Sequence, residues 1–269
     1  MYVHALEEMS QHSLLSQINE AEGFYLGQMS ETDLAQLRAW VKEQFLHTIQ
    51  CVAPEHVALY KDAGLANYHR VYQSTHFDHG SVWRKSARVL GPLAVAQVQQ
   101  LQFYQTLTQH LGEFLVSDEE GFGWPGIYWR LVRPGASDIG PVHADKWFWD
   151  LGHGTMPGEP DEYYMPGEPD EYYRLKIWMS LYSQPGKSGL RVVPSSQKSD
   201  EWRYHGEERG GMTKPVLDEK EEDLDLVGLP LGAGGFVVFH DKLLHGGMPN
   251  LGDDSRVSLE FTMLVKNHK

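Results

Sequence analysis

The sequence predicts a mainly β fold with helices, a β-sandwich or jelly roll carrying N-terminal helices packed on one sheet. Two observations point there. Up to about residue 120 apolar residues recur at helical spacing, whereas after Gly121 glycine and proline appear every few residues between short runs of branched and aromatic side chains. No shift in composition divides the chain, so one domain is expected over residues 1–269, with helical elaboration over about 1–120 and the β core over about 121–266.

Between Ser30 and Ile49, the residues Leu34, Leu37, Trp40, Val41 and Phe45 mark one face of an amphipathic helix, and Ser30 with Asp33 resembles a capping box at its start. A second helix is expected over about Pro92–His110, with Val95, Val98, Leu101 and Leu107 on one face. Residues 54–90 are mixed and poorly periodic. Candidate strands are GIYWRLVRP (126–134), GPVHADKWFW (140–149), LKIWMSLYS (175–183), GLRVVP (189–194), GGFVVFH (234–240) and RVSLEFTMLV (256–265). The nine residues MPGEPDEYY at 156–164 recur unchanged at 165–173, too few copies for a repeat architecture. This acidic duplication is expected to form an exposed loop. The alternative is a lid that brings Tyr163, Tyr164, Tyr172 or Tyr173 to a ligand.

Hydrophobic residues make up 41% of the chain and aromatics 12%, enough to fill a sizeable core. The formal charge of −14 argues against binding nucleic acid or an anionic membrane surface. Cys51 stands alone, which excludes an internal disulfide. The first twenty residues carry Glu7 and Glu8 and no Lys or Arg, and no apolar run reaches the roughly 18 residues of a membrane span. A soluble, cytoplasmic protein is expected; the oligomeric state is not legible.

Residues 143–145 read His-Ala-Asp. On a strand His143 and Asp145 would share a face and could grip one ion, but such a pair is common by chance. His76 and Asp78 form a second one, in the aperiodic region and without a matching partner downstream, where a polar loop is the better account. For the first pair a third ligand follows an apolar strand, His245 beside Gly246 and Gly247. Two histidines and one carboxylate with open positions is the ligand set of non-haem Fe(II) oxygenases. His240 and Asp241 compete as ligands or shape the turn. Eleven residues past His245, Arg256 opens the last strand with Ser258 on the same face, where a buried guanidinium needs an anion such as a dicarboxylate co-substrate. The aromatics Trp147, Phe148 and Trp149 are candidate pocket walls, and Tyr128, Arg130 and Trp147 candidate substrate contacts.

With HAD at 143–145, GLRVVPSSQK at 189–198, LGAGGFVVFHDKLLHGGMPN at 231–250 and Arg256 in this order, the chain resembles the phytanoyl-CoA dioxygenase-like family of Fe(II)- and 2-oxoglutarate-dependent oxygenases. EGFYLGQMSETDLAQLR at 22–38 is similar to the opening segment of that family. The resemblance implies a double-stranded β-helix of cupin-like form. It implies iron on His143, Asp145 and His245, 2-oxoglutarate on Arg256 with Ser258 and Trp149 in the co-substrate pocket, and O2 as oxidant. Asp145 fills the position that halogenating members leave open, so hydroxylation or a related oxidation of a small molecule is the implied reaction. The long acidic duplication departs from the family pattern. Two other classes stay open: a non-catalytic metal- or ligand-binding jelly roll, and a cupin-like isomerase or dioxygenase without need of Arg256.

Overall fold

The computed structural model describes residues 11–75, 78–153, 172–209 and 212–266. Helix α1 (Gln11–Asn19) leads into strand β1 (Phe24–Gln28), followed by α2 (Glu31–Val52), α3 (Val57–Ala63), α4 (Tyr68–Thr75), α5 (His79–Val82), α6 (Pro92–Val98) and α7 (Gln102–Leu111). Then come β2 (Phe114–Val116), β3 (Tyr128–Val132), the single turn α8 (Lys146–Phe148), β4 (Tyr172–Tyr182), β5 (Leu190–Val192), β6 (Tyr204–Arg209), β7 (Met212–Leu217), β8 (Val227–Gly228), β9 (Gly235–His240), β10 (His245–Gly247) and β11 (Arg256–Lys266).

Ser30 caps α2 as expected, accepting a 3.1 Å hydrogen bond from the Asp33 amide. Asp33 does not reach back to close the box. Its carboxylate instead accepts from the amides of Gln102 and Phe103, at 3.3 and 2.9 Å, and so caps α7 from a distant point of the chain. That cap explains a departure from the sequence expectation. The helix foreseen over about Pro92–His110 breaks at Leu101, which is extended, because new helix N–H groups find their acceptor on α2.

All strand pairs are antiparallel. The large sheet runs β1-β9-β4-β11-β2, with β3 also paired to β11; a small sheet runs β10-β5-β8, and β6 pairs with β7. Among the described residues these sheets do not join into one barrel. Helices occupy as much of the described chain as strands do, so the architecture is mixed rather than mainly β. Strand β1, inside the helical third, pairs along β9 and was not foreseen. Gly27 is needed there, since any Cβ would run into the Phe236 ring of β9.

Two apolar layers hold the fold. One face of β11 and β4 (Val257, Leu259, Phe261, Leu175, Ile177) packs on Leu34, Leu37, Val41 and Phe45 of α2 and on the other helices. The opposite side of the large sheet contributes Phe24, Trp178, Val237 and Phe239 to a second layer with Leu190 and Val192 of the small sheet. Each fully buried side chain of this kind contributes about 1.5–3 kcal/mol of transfer free energy. Polar residues of the large sheet point into the space between the sheets, and that space carries the chemistry.

The stretch 140–149 is not a strand. His143 makes only an isolated bridge to His245, Asp145 is helical (φ −60°, ψ −35°), and α8 runs on into a π-helical turn at Trp149–His153. Packing overrides the strand propensity of its aromatics: Trp147 stacks on Tyr204 of β6, centroids 4.5 Å apart and planes 12° apart. The duplicated segment lies outside the described residues up to 171; its last two residues, Tyr172 and Tyr173, open β4 and pair with Lys266 and Val265. Tyr163, Tyr164 and His76 are likewise outside the described residues. Asp78 caps α5 by accepting from the Ser81 amide at 2.7 Å, a structural duty that fits a polar loop. No described helix is long and apolar enough to cross a membrane.

Candidate metal centre

His245 does not end the strand before it; it opens β10, five residues past His240, after a turn. There it pairs with Val192 of β5 on one side and bridges His143 on the other. The bridge fixes both imidazoles on one side of the backbone. Asp145 joins them through the tight turn into α8, not through strand alternation. The candidate ligand atoms of His143, Asp145 and His245 all lie within 4.8 Å of one another. His143 Nε2 is 3.6 Å from Asp145 Oδ1, and His245 Nε2 is 3.8 Å from Asp145 Oδ2.

The tautomers follow from the hydrogen bonds. Nδ1 of His143 faces the Pro141 carbonyl at 2.9 Å, and Nδ1 of His245 faces that of Leu243 at 2.9 Å. A carbonyl only accepts, so each Nδ1 carries a proton, which leaves each Nε2, facing Asp145, as the ring atom that can ligate a cation. Burial holds His245 neutral, lowering its pKa to about 4 against the opposing pull of Asp145. Burial alone would raise Asp145; Lys176, the largest opposing influence, outweighs it and keeps the carboxylate well below its usual range. Asp145 Oδ2 is nevertheless buried without a hydrogen-bond partner. Two imidazoles aimed by their Nδ1 hydrogen bonds and an ionised, orphaned carboxylate oxygen are the donor set of a divalent cation site with positions left over. Phe148 sits edge-on to His143 at 5.4 Å and Phe239 lies 4.6 Å from the His245 ring. His240 and Asp241 contact each other, and the Lys242 amide donates to His240 Nδ1; they shape the turn and lie outside the ligand cluster.

Arg256 opens β11 and is 2% exposed. Its Nη1 donates to the Gly189 carbonyl, while its Nε is buried without a partner. Burial, and then repulsion by Arg130, lower its pKa to about 9. A guanidinium so placed lacks an anion, and a planar carboxylate matches its fork. Ser258 follows on the same face, aligned with Arg130 of β3 and Ser180 of β4. Tyr128 and Arg130 also point to this side, since Ile127, Trp129 and Leu131 pack on the helices. Trp149, on the π-helical turn, carries the Arg174 guanidinium over its ring at 4.3 Å. Trp147 is drawn into the apolar cluster of Val142, Ala144, Val193 and Leu244 under the β6–β7 hairpin.

Sequence reasoning passed over an interior charge network. Lys176, in the middle of apolar β4, lies 3.4 Å from Glu119 and 3.3 Å from the Thr262 hydroxyl, and it also acts on Asp145 and Glu260. Glu119 further holds Lys85 at 3.2 Å and accepts from Thr262 Oγ1. So the basic stretch at 82–88 turns Lys85 inward. A lone lysine within the run LKIWMSLYS was the available signal.

No curated protein is significantly similar to this chain in sequence. Solved structures share its fold at low identity. EctD from S. alaskensis, in a structure with 2-oxoglutarate and 5-hydroxyectoine, aligns over 98% of this chain and 78% of its own at TM-score 0.54 and 14% identity. The non-heme alpha ketoglutarate dependent carbocyclase SnoK from nogalamycin biosynthesis aligns over 98% and 87% at TM-score 0.51 and 13% identity. The epimerase SnoN, in complex with Fe3+, alpha ketoglutarate and nogalamycin RO, aligns over 95% and 83% at TM-score 0.51 and 11% identity. The family model described as Phytanoyl-CoA dioxygenase (PhyH) matches residues 45–258, most of the sequence and all three candidate ligands. With that match, the chain belongs to the phytanoyl-CoA dioxygenase family.

Proposed function

We propose that the protein is an Fe(II)- and 2-oxoglutarate-dependent dioxygenase that hydroxylates, or otherwise oxidises, a C–H bond of a small-molecule metabolite while 2-oxoglutarate is converted to succinate and carbon dioxide. One observation carries this reading: a His-Asp-His cluster with an orphaned carboxylate oxygen shares the inner side of the sheets with a buried, under-paired arginine. The relation of the two sheets supports a double-stranded β-helix, with His143, Asp145 and His245 as the iron ligands and Arg256 as the anchor of the co-substrate's far carboxylate. Fe(II), when bound, supplies the activation of O2 and the oxidation of substrate.

The chain's own residues position and shield. Pro141 and Leu243 hold the ligand imidazoles by their Nδ1 protons, which aims Nε2 and fixes its basicity. Lys176 keeps Asp145 ionised and ready to ligate. Phe148 and Phe239 back the two imidazoles with apolar surface, keeping water from the reacting centre. Ser258 and Trp149 complete the co-substrate pocket in this reading, with O2 as oxidant and no nucleic acid or membrane partner. The neighbours' substrates are small molecules, and a cytoplasmic location fits the same reading.

The test is spectroscopic. Anaerobic protein with Fe(II) and 2-oxoglutarate gives a metal-to-ligand charge-transfer band, lost in His143→Ala and weakened in Arg256→Ala. Wild-type protein that binds Fe(II) without that band overturns the assignment. A non-catalytic jelly-roll module would retain metal yet form no succinate under any substrate screen.

A further inference from the structure

Strand β3 turns Tyr128 and Arg130 toward the space between the sheets. Arg130 lies opposite Ser258 and Tyr128 opposite Glu260. The Nε of Arg130 is buried, and among the described residues its guanidinium has no hydrogen bond, ion pair or ring partner. Tyr128 is 2% exposed and its hydroxyl is buried without a partner as well. Folded proteins rarely leave buried donors unmatched, and two on one face of one strand mark a place built for a missing acceptor.

The other cations nearby are accounted for. Arg88 donates to the carbonyls of Trp83 and Trp129, both at 2.6 Å. Lys85 and Lys176 are held by Glu119, and Arg256 is assigned above to 2-oxoglutarate. Arg130 is surplus. It is also reachable, since the residue is only partly buried. Nη1 extends toward the loop leading to His143, so that a Cβ at Gly140 would lie 3.9 Å from it. Glu260 attracts it without coming within ion-pair distance.

We propose that Arg130 is a specificity-determining residue that binds a carboxylate of the organic substrate, with the Tyr128 hydroxyl as a second donor on the same wall. This rests on the oxygenase reading, because it takes Arg256 as occupied by the co-substrate. A carboxylate suits one planar guanidinium fork, and its single charge meets less repulsion from Glu260 than a phosphate dianion would. The substrate class is therefore a small monoanionic acid.

The experiment uses full-length protein with Fe(II) and saturating 2-oxoglutarate under argon, with acetate, acetamide and inorganic phosphate as probes. In wild type, acetate at about ten times its Kd raises the thermal midpoint by roughly 2 °C or more, while acetamide and phosphate do not. Arg130→Gln loses the acetate shift and keeps the charge-transfer band. Arg130→Lys, which keeps the charge but not the fork, keeps the band and needs several-fold more acetate for the same shift, and it serves if the glutamine variant fails to fold. No acetate shift in wild type, a shift that survives in both variants, or a stronger response to phosphate overturns the proposal. Loss of the band in both variants also overturns it, because Arg130 would then hold 2-oxoglutarate. A wild type lacking the band defeats the oxygenase reading instead, a separate signal from the acetate shift.

Discussion

His143 and His245 clasp each other by two backbone hydrogen bonds, the amide of each donating to the carbonyl of the other at 3.0 and 2.9 Å. Neither imidazole takes part, so the clasp is independent of the side chains it positions. Ala substitution at either residue is therefore expected to leave the fold in place and remove a ligand. Altering groups that merely orient ligands already costs about 10–100-fold in metal affinity, so His143→Ala and His245→Ala should each lose more than about 100-fold. Titration of Fe(II) under argon, alongside circular dichroism, checks both halves of this expectation.

Arg256 gives opposite signs for binding and stability. Replacing it by Met removes a charge-assisted carboxylate contact worth about 1.5–3 kcal/mol, which raises the 2-oxoglutarate Kd about 10–100-fold. The same change removes a buried cation with an unsatisfied Nε. Without co-substrate, Arg256→Met should melt no lower than wild type, because apolar replacement of an underpaired buried charge is neutral or stabilising. Differential scanning calorimetry with and without 2-oxoglutarate separates the two effects. A variant destabilised equally in both conditions would make Arg256 a structural cation.

The His143, Asp145 and His245 cluster was legible in the sequence for a reason that was partly wrong. Histidine, aspartate and a distant histidine are the right atom types for iron, and residue type survives an error in secondary structure. Strand alternation was the argument for His143 and Asp145, yet a turn brings them together, because Trp147 is captured by Tyr204 from a hairpin 55 or more residues further on. A local pattern carries no trace of such a partner. The same holds for Asp33, whose capping of α7 links positions about 70 residues apart. Arg256 was easier to place: β11 alternates from Arg256 to Met263, and its apolar face identifies the polar one. Lys176 obeys that alternation too, but a single lysine in an apolar run announces burial without naming the carboxylates that keep it charged.

Lys176 is the cation on which three interior carboxylates depend. Burial opposes its charge, but Glu119, Asp145 and Glu260 raise its pKa above the ordinary lysine value. Removing one partner of a buried charge set costs about 3–5 kcal/mol because the others stay behind. Lys176→Met is expected to be destabilised on that scale, and adding Glu119→Gln to it should recover part of the loss. A double-mutant cycle by urea denaturation measures the coupling; strictly additive losses would show that Lys176 does not act through Glu119.

Acid sensitivity should arise at His79 as well as at the buried His245. Burial, opposed by Asp138 at 3.7 Å, lowers its pKa from 6.5 to about 4. The unfolded chain thus binds this proton more readily than the folded one, so stability is fully present above about pH 6.5 and falls as pH drops toward about 4. At 1.36 kcal/mol per pKa unit the difference is about 3 kcal/mol at most, reduced by the partial exposure of the ring. His79→Gln can keep the hydrogen bond to the Tyr68 hydroxyl and cannot titrate. The variant should therefore show a flatter dependence of urea midpoint on pH between about 6.5 and 4 than wild type, with matching values near pH 7. An unchanged slope would mean that the acid-sensitive group is elsewhere, and the carboxylates paired with Lys85 and Lys176 would be the next to test.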